Sequence, residues 1–147
     1  MRTLLILSIV SFLSLNCSAP TVEADNWTTD YEGAFVKARN EGKYVLINFT
    51  GSDWCGWCKK LDAEVFSQEK FKAYAAKKLV LLKLDFPRRT PQPQEEKIRN
   101  QQLAQQFAVR GYPTILIAKS NQQVILRTGY QYGGVDAYIA HIEKALK

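Results

Sequence analysis

The sequence predicts an α/β domain in which a central mixed β-sheet, ending in a C-terminal antiparallel hairpin, is flanked by helices. Buried apolar runs alternate with helical patterns between residues 29 and 107, and strands separated by helices pair in parallel through right-handed crossovers. After that, two short strand patterns are separated only by a polar turn at 120–122, which is typical of an antiparallel hairpin. The chain has 147 residues, 46% of them hydrophobic, which suits one compact domain.

Eight elements are predicted along the chain. They are a helix from 29 to 42, a strand at 44–50, a helix from about 55 that breaks near 67, a strand at 79–85, a helix around 98–107, strands at 115–118 and 124–127, and a closing helix around 135–142. Thr29 and Glu32 form a capping box at the start of the first helix. Lys83 limits how deeply the second strand is buried, and a polar, proline-spaced loop at 87–93 follows that strand.

The first 24 residues are interpreted as a secretory signal peptide that precedes a domain at 25–147. A short basic start leads into an apolar stretch at 4–15, which is shorter than the about 20 residues that a membrane-spanning helix needs. The residues before Cys17 resemble a relaxed bacterial lipoprotein box, so removal of residues 1–16 would leave Cys17 as a lipidated N-terminus. Simple cleavage near Ala24 is the alternative.

The net charge of +6 does not predict nucleic-acid binding. Lysine and arginine are interleaved with acidic residues along every segment, as at 37–41, and no stripe of basic and aromatic residues recurs at a regular spacing. We therefore expect no nucleic-acid partner, and contact with a membrane only through a lipid anchor on Cys17.

The segment Trp54-Cys55-Gly56-Trp57-Cys58 places two thiols where a buried strand ends and a helix begins. Two cysteines at this spacing can close a small ring and reopen it, which is redox chemistry. The free amides of a helix start stabilise a thiolate by about 0.3 to 2 kcal/mol. A static disulfide and half of a zinc site are the alternatives, but zinc usually needs four ligands and His141 is the only further strong candidate. We expect His141 to be a solvated helix residue and no metal to bind.

Two motifs in this order resemble those of the thioredoxin superfamily, over roughly residues 27–147. The first is Trp54–Lys59 after a strand, and the second is Arg110-Gly111-Tyr112-Pro113-Thr114, similar to the family's loop with a cis-proline facing the dithiol. The pattern from 27 to 54 more closely resembles exported bacterial thioredoxin-like proteins than cytosolic thioredoxin. The resemblance implies the thioredoxin fold and a redox-active Cys55–Cys58 disulfide that works without a separate cofactor.

The resemblance also assigns roles to single residues. Cys55 would be the exposed nucleophile, and Cys58, less exposed, would resolve the mixed disulfide. Pro113, if cis, would present the backbone edge of Tyr112 to an extended substrate. The residues expected to dock the substrate are Trp54, Gly56, Trp57, Tyr112, Pro113 and Tyr130, with Trp57 partly exposed.

Two departures from the family pattern bear on mechanism. Asn48 stands where thioredoxin has a buried aspartate that helps to take the proton from the resolving cysteine, so we expect slower resolution unless water, Lys83 or Asp53 substitutes. Gly56-Trp57 replaces the Gly-Pro of thioredoxin and the Pro-His of strongly oxidising periplasmic enzymes. Because desolvation by Trp57 raises a cysteine pKa and the helix start lowers it, we expect Cys55 to be a moderately reactive thiol.

Together these residues predict an exported bacterial thiol-disulfide oxidoreductase, periplasmic or anchored on the extracytoplasmic side of a membrane. Its partners would be protein disulfides and dithiols, and a reductase fed by a membrane electron donor is favoured over a dithiol oxidase or isomerase. The alternative from another class is a membrane-tethered binding or chaperone module for unfolded thiol proteins, whose activity would survive Cys55→Ser.

Overall fold

A computed structural model describes residues 26–147 of the chain. The predictions of a signal peptide and of lipidation at Cys17 lie outside these described residues. The helices and strands, in order, are β1 (Trp27–Thr28), α1 (Tyr31–Glu41), β2 (Tyr44–Thr50), α2 (Gly56–Leu61), a π-helical turn (Asp62–Phe66), α3 (Glu69–Lys78), β3 (Leu79–Asp85), α4 (Gln94–Gln106), β4 (Thr114–Ala118), β5 (Val124–Thr128) and α5 (Gly134–Ala145). All eight predicted elements are present, and the break near Ser67 is confirmed. The short β1 was missed, because two residues carry no periodic pattern.

The five strands form one sheet in the order β1-β3-β2-β4-β5, and the sheet is mixed, as predicted. β1 and β2 run parallel to β3, whereas β4 is antiparallel to β2 and to β5. The C-terminal ends of β2 and β3 therefore reach the same edge of the sheet. The start of β4 lies there too, since Thr114 pairs with Phe49 near the end of β2. The loop after β2, the loop after β3 and the loop before β4 therefore lie at the same edge of the sheet.

Helices cover both faces of the sheet, so the central strand β2 is buried on both sides. Val45, Ile47 and Phe49 pack into the cluster that contains the apolar side of α1. Leu46, pointing the other way, packs against residues of α2, α3 and α5. Lys83 is only half-buried between the buried Leu82 and Leu84 of β3, as its charge predicts.

The predicted cap of the first helix is wrong. The cap of α1 is Asp30, whose carboxylate accepts a hydrogen bond from the Gly33 amide at 3.1 Å, instead of the predicted Thr29–Glu32 box. The N-cap lies one residue later than predicted, so Glu32 is the second residue of the helix and not the third, where a capping box requires it. In α4, Ile98 is exposed, and the buried face is formed by Asn100 and Leu103.

Candidate active site

The disulfide Cys55–Cys58 spans the first turn of α2, with its two Cα atoms 5.3 Å apart. Cys55 is the N-cap of this helix and has an extended backbone conformation. Its Sγ accepts a hydrogen bond from the Cys58 amide at 3.2 Å. The Cys55 amide in turn donates to the Gly51 carbonyl at 2.8 Å, which closes the turn after β2. The Cys58 amide is thus positioned to hydrogen bond a thiolate on Cys55 once the disulfide is reduced.

The two cysteines are equally shielded in the disulfide-bonded state. Each is 5% exposed, so the predicted contrast between an exposed Cys55 and a less exposed Cys58 is wrong for this state. The bond holds both sulfurs at the helix start, and a tryptophan stands directly before each of the two cysteines in the sequence. Gly56, by contrast, is exposed, and a Cβ built at this position would meet no atom within 4 Å. The glycine leaves open space beside the disulfide.

Trp54, the residue directly before Cys55, is anchored by several contacts. Its Nε1 donates to the Phe86 carbonyl at 2.8 Å, and its ring meets the ring of Tyr112 edge-on at a centroid distance of 5.7 Å. A side chain at Gly51 would collide with the indole, which explains the glycine there. Arg88 stacks over the indole, with its Cζ 3.7 Å from the ring centroid. We call Asp53, Trp54, Phe86, Arg88 and Tyr112 the Trp54 flank.

Asp53 ties this flank to the loop after β3. Its carboxylate accepts hydrogen bonds from the amides of Arg88, Arg89 and Thr90 at 3.0, 2.7 and 2.9 Å. These bonds, led by that of the Arg88 amide, hold the pKa of Asp53 well below its usual value. An acid held this firmly as a carboxylate is a weak proton acceptor. The suggestion that Asp53 replaces the missing acid at Asn48 therefore does not fit the structure.

Trp57, the residue directly before Cys58, is 51% exposed, which confirms its predicted partial exposure. Its ring centroid is 5.2 Å from that of Tyr130 and 6.5 Å from that of Tyr132. The Lys60 Nζ lies 5.4, 5.2 and 5.7 Å from the centroids of Trp57, Tyr130 and Tyr132. We call Trp57, Lys60, Glu64, Tyr130 and Tyr132 the Trp57 flank.

Glu64 joins the two segments of the Trp57 flank. It accepts a hydrogen bond from the Tyr130 hydroxyl at 2.5 Å and lies 3.8 Å from the Lys60 ammonium. The hydrogen bond to Glu64 is the main reason that the pKa of Tyr130 is raised. Sequence reasoning missed Lys60, Glu64 and Tyr132. For Lys60 and Glu64 the signal was the helical spacing of residues 57, 60 and 64, which places these three on one side of a helix.

The bond between Tyr112 and Pro113 is cis, as the resemblance implies. A Cβ at Gly129 would lie 3.1 Å from the Pro113 carbonyl, so the loop after β5 runs close beside this proline. Tyr112 packs against Trp54 and Phe86, and its burial raises its pKa. The predicted docking residues thus divide between two flanks, with Tyr112 on one and Tyr130 on the other.

Asn48 occupies a buried position in β2, directly between Lys83 of β3 and Ile115 of β4. It is 7% exposed, and its Oδ1 has no hydrogen-bond partner among residues 26–147. Because residue 48 is an asparagine, this position carries no acid. Its partner on β3 is the half-buried Lys83.

His141 does not lie at this site. Its Nε2 is 3.1 Å from the Thr128 hydroxyl, and it is half-buried rather than fully solvated because α5 packs on β5. Over the described part of the chain, no three His, Cys, Asp or Glu side chains are grouped so that they could hold a metal ion. Among residues 26–147 there is also no helix with the length and apolar character needed to cross a membrane.

Comparison with known proteins decides the family. A family model described as thioredoxin-like matches residues 26–120. The chain belongs to this thioredoxin-like family. The disulfide bond reductase DsbH of Chlamydia pneumoniae is 31% identical over 134 residues, which cover 91% of this chain and 81% of DsbH. The thioredoxin-related protein DsbJ of the same organism is 28% identical over 131 residues, and the match spans 38% of its length.

Solved structures support the same assignment. A structure of the DsbH oxidoreductase matches this thioredoxin-like chain with a TM-score of 0.77 and 31% identity, covering 92% of this chain and 94% of DsbH. A thioredoxin from Thermus thermophilus matches with a TM-score of 0.61 at 18% identity, covering 84% of this chain and 88% of its own, and shows the fold alone. The predicted thioredoxin fold is confirmed. With its disulfide-bonded Cys55–Cys58 pair, the chain is a thiol-disulfide oxidoreductase of this family.

Proposed function

We propose that the chain is an exported disulfide reductase that acts on protein substrates through Cys55 and Cys58. The hydrogen bond from the Cys58 amide to the Cys55 Sγ carries this proposal. It singles out Cys55 as the sulfur whose anion the helix start stabilises, and a stabilised thiolate is the attacking species in disulfide exchange.

The reaction needs only sulfur chemistry. The Cys55 thiolate attacks one sulfur of a substrate disulfide, so a Cys55–substrate disulfide forms and the first substrate sulfur leaves and takes a proton. Cys58 then loses its proton and attacks the Cys55 Sγ. The Cys55–Cys58 disulfide forms, and the second substrate sulfur leaves as a thiol after protonation. Two electrons pass to the substrate, so a dithiol donor must reduce the protein again.

Three observations favour reduction in an exported setting. No histidine lies beside Cys55 to stabilise its thiolate further, since the chain's single histidine is His141. The relative with 31% identity bears the name disulfide bond reductase. The apolar stretch at 4–15 is typical of an export signal. In an oxidising compartment, the electrons would come from a membrane donor, and residues 1–24 would be removed or Cys17 lipidated.

The reduction potential of the purified protein in a defined thiol buffer tests the direction. We expect a value near the about −270 mV of thioredoxin, and a value near about −120 mV would make the protein a disulfide donor instead. Cys58→Ser is expected to accumulate a mixed disulfide with the substrate, whereas Cys55→Ser forms none. Trapping through Cys58 in the Cys55→Ser variant would contradict the assigned roles.

The exposed rings of Trp57 and Tyr132, the latter 77% exposed, favour a second candidate function. A protein that holds unfolded thiol proteins would use such a surface without redox chemistry. Suppression of aggregation of a reduced, unfolded substrate separates the two functions. If Cys55→Ser suppresses aggregation as well as the unchanged protein does and no exchange is detected, the binding role is correct.

A further inference from the structure

Arg88 is a cationic side chain beside the disulfide that the exchange chemistry does not use. Its guanidinium stacks at 3.7 Å on the indole of Trp54, the residue directly before Cys55. Arg88 is exposed, and it forms no ion pair within residues 26–147. A stacked guanidinium keeps its N–H donors in the plane of the group, where a partner in solvent can reach them.

The backbone that carries Arg88 is held in place from several sides. Asp53 accepts hydrogen bonds from three successive amides that begin at Arg88. Two residues earlier, the Phe86 carbonyl accepts from Trp54 Nε1 at 2.8 Å. The Ser52 amide donates to Asp85 at 2.9 Å, which joins the same two loops once more. Because the loop is ordered before any partner arrives, little conformational entropy remains to be lost on binding.

The charges around Arg88 favour an anionic partner. Arg89, in the loop after β3, and Lys59, in α2, are also exposed cations. The Lys59 ammonium donates only to a backbone carbonyl, that of Asp53, at 3.1 Å. The neighbouring carboxylates are already engaged, Asp53 by loop amides and Asp85 by Ser52. An incoming carboxylate therefore meets N–H donors that no carboxylate of this site already occupies.

We propose that Arg88 is a specificity-determining residue that binds an Asp or Glu side chain lying a few residues from the substrate half-cystine that Cys55 attacks. This inference rests on the proposed function. A guanidinium presents two parallel N–H groups that match a carboxylate, which an ammonium cannot do. In an extended substrate, a residue two or three positions from the half-cystine lies roughly 7 to 11 Å from it along the chain. This separation suits a contact with Arg88, because Arg88 stacks on Trp54, the residue directly before Cys55.

Matched peptides test the proposal. Three disulfide-bonded peptides differ only in having Glu, Gln or Lys two residues from one half-cystine, and the second-order rate constant for their reduction by the reduced full chain is measured. We expect the Glu peptide to react about threefold to tenfold faster than the Gln peptide, and the Lys peptide to react more slowly still. The preference is expected to shrink as salt is added, because the contact is exposed.

Two variants locate the preference. Arg88→Gln is expected to make the rate constants of the Glu and Gln peptides equal, and Arg88→Lys is expected to retain part of the difference. Lys78→Gln is the matched control, because it removes the same charge at the opposite end of β3 from the disulfide. It is expected to keep the full preference.

The outcomes separate this inference from the function on which it rests. Equal rate constants for the three peptides with the unchanged protein would overturn the role of Arg88 while leaving the reductase intact. An equal loss with all three peptides in Arg88→Gln would show a purely structural residue and would also overturn it. No exchange with any peptide would overturn the proposed function itself, and the inference with it.

Discussion

The two flanks of the disulfide carry the same kind of side chain in opposite roles. Trp54 packs over Gly51, donates to a backbone carbonyl and is half-buried beneath Arg88. Trp57, three residues later, is 51% exposed and rests on two tyrosines and a lysine. The first flank holds the backbone of the active site in place. The second is a surface that suits contact with a partner.

The supports of the two flanks also differ in strength. Backbone hydrogen bonds and a carboxylate shared by three amides hold the Trp54 flank. The Trp57 flank depends on cation–π contacts, worth about 0.5 to 1 kcal/mol each at exposed sites, and on one carboxylate–phenol hydrogen bond. Substitutions of the two tryptophans should therefore separate stability from substrate binding.

Replacing each tryptophan by alanine gives the largest expected contrast. Trp54→Ala should lower the free energy of unfolding by about 2 to 3 kcal/mol, since it removes half-buried packing and leaves the Phe86 carbonyl without its donor. Trp57→Ala should cost less than about 1 kcal/mol but raise KM for peptide disulfides. Urea unfolding of the oxidised proteins and steady-state kinetics measure the two effects. Equal stability losses would contradict the division into two flanks.

A substitution in β2 tests whether a proton acceptor for Cys58 is missing at position 48. Asn48→Asp places a carboxylate at the buried position whose amide oxygen has no partner among the described residues. We expect release of the mixed disulfide to accelerate about tenfold near neutral pH, since an added general base contributes at least this much. The pH dependence of single-turnover release measures it, with Asn48→Ala as the control that adds no acid. An unchanged rate would mean that a base elsewhere already serves Cys58.

Asp53→Asn tests how the Trp54 flank responds to pH. Because the pKa of Asp53 is lowered in the folded chain, its carboxylate stabilises the fold above the ordinary unfolded pKa of about 3.9. That contribution is lost as the pH falls through the folded pKa. The difference in free energy of unfolding between the unchanged protein and Asp53→Asn should thus be complete above about pH 5 and shrink below about pH 4. Urea unfolding across this range checks it, with Glu95→Gln as a control for an exposed carboxylate. A difference independent of pH would rule out the amide contacts as its cause.

Glu64→Gln should have the smallest effect and sharpens the account of the Trp57 flank. Since the bond to Glu64 is the main cause of the raised pKa of Tyr130, its loss should lower that pKa towards the ordinary value of about 10. Any stability from this bond is present below the unfolded pKa and disappears as the pH rises through the folded pKa. Phenolate absorbance, with Tyr130→Phe subtracted to isolate the residue, measures the shift. An unchanged titration would show that the two side chains are not bonded in solution.

Much of the fold followed from local patterns. The strands at 44–50 and 79–85 were predicted at the bounds that the structure has. Each is a largely apolar run of strand length that follows a helical pattern, and such a run indicates a buried strand. The cap of α1 was misplaced, because Thr29 and Asp30 are both good caps and only the backbone geometry decides between them. β1 was missed, because its two residues become a strand only by pairing with β3.

The chemistry of the site can be read from the chain alone, because two cysteines at this spacing are typical of a redox pair. The cis bond before Pro113 was expected from the family resemblance and not from the Tyr112-Pro113 pair itself. The surroundings of the cysteine pair depend on long-range contacts. The contacts of Asp53 and Trp54 with the loop at 86–90 join residues more than 30 positions apart and depend on the parallel register of β2 and β3. Likewise, Tyr132 reaches Trp57 only because the loop after β5 runs beside α2. No periodicity along the chain encodes such contacts, because they arise from which strand ends meet at one edge of the sheet.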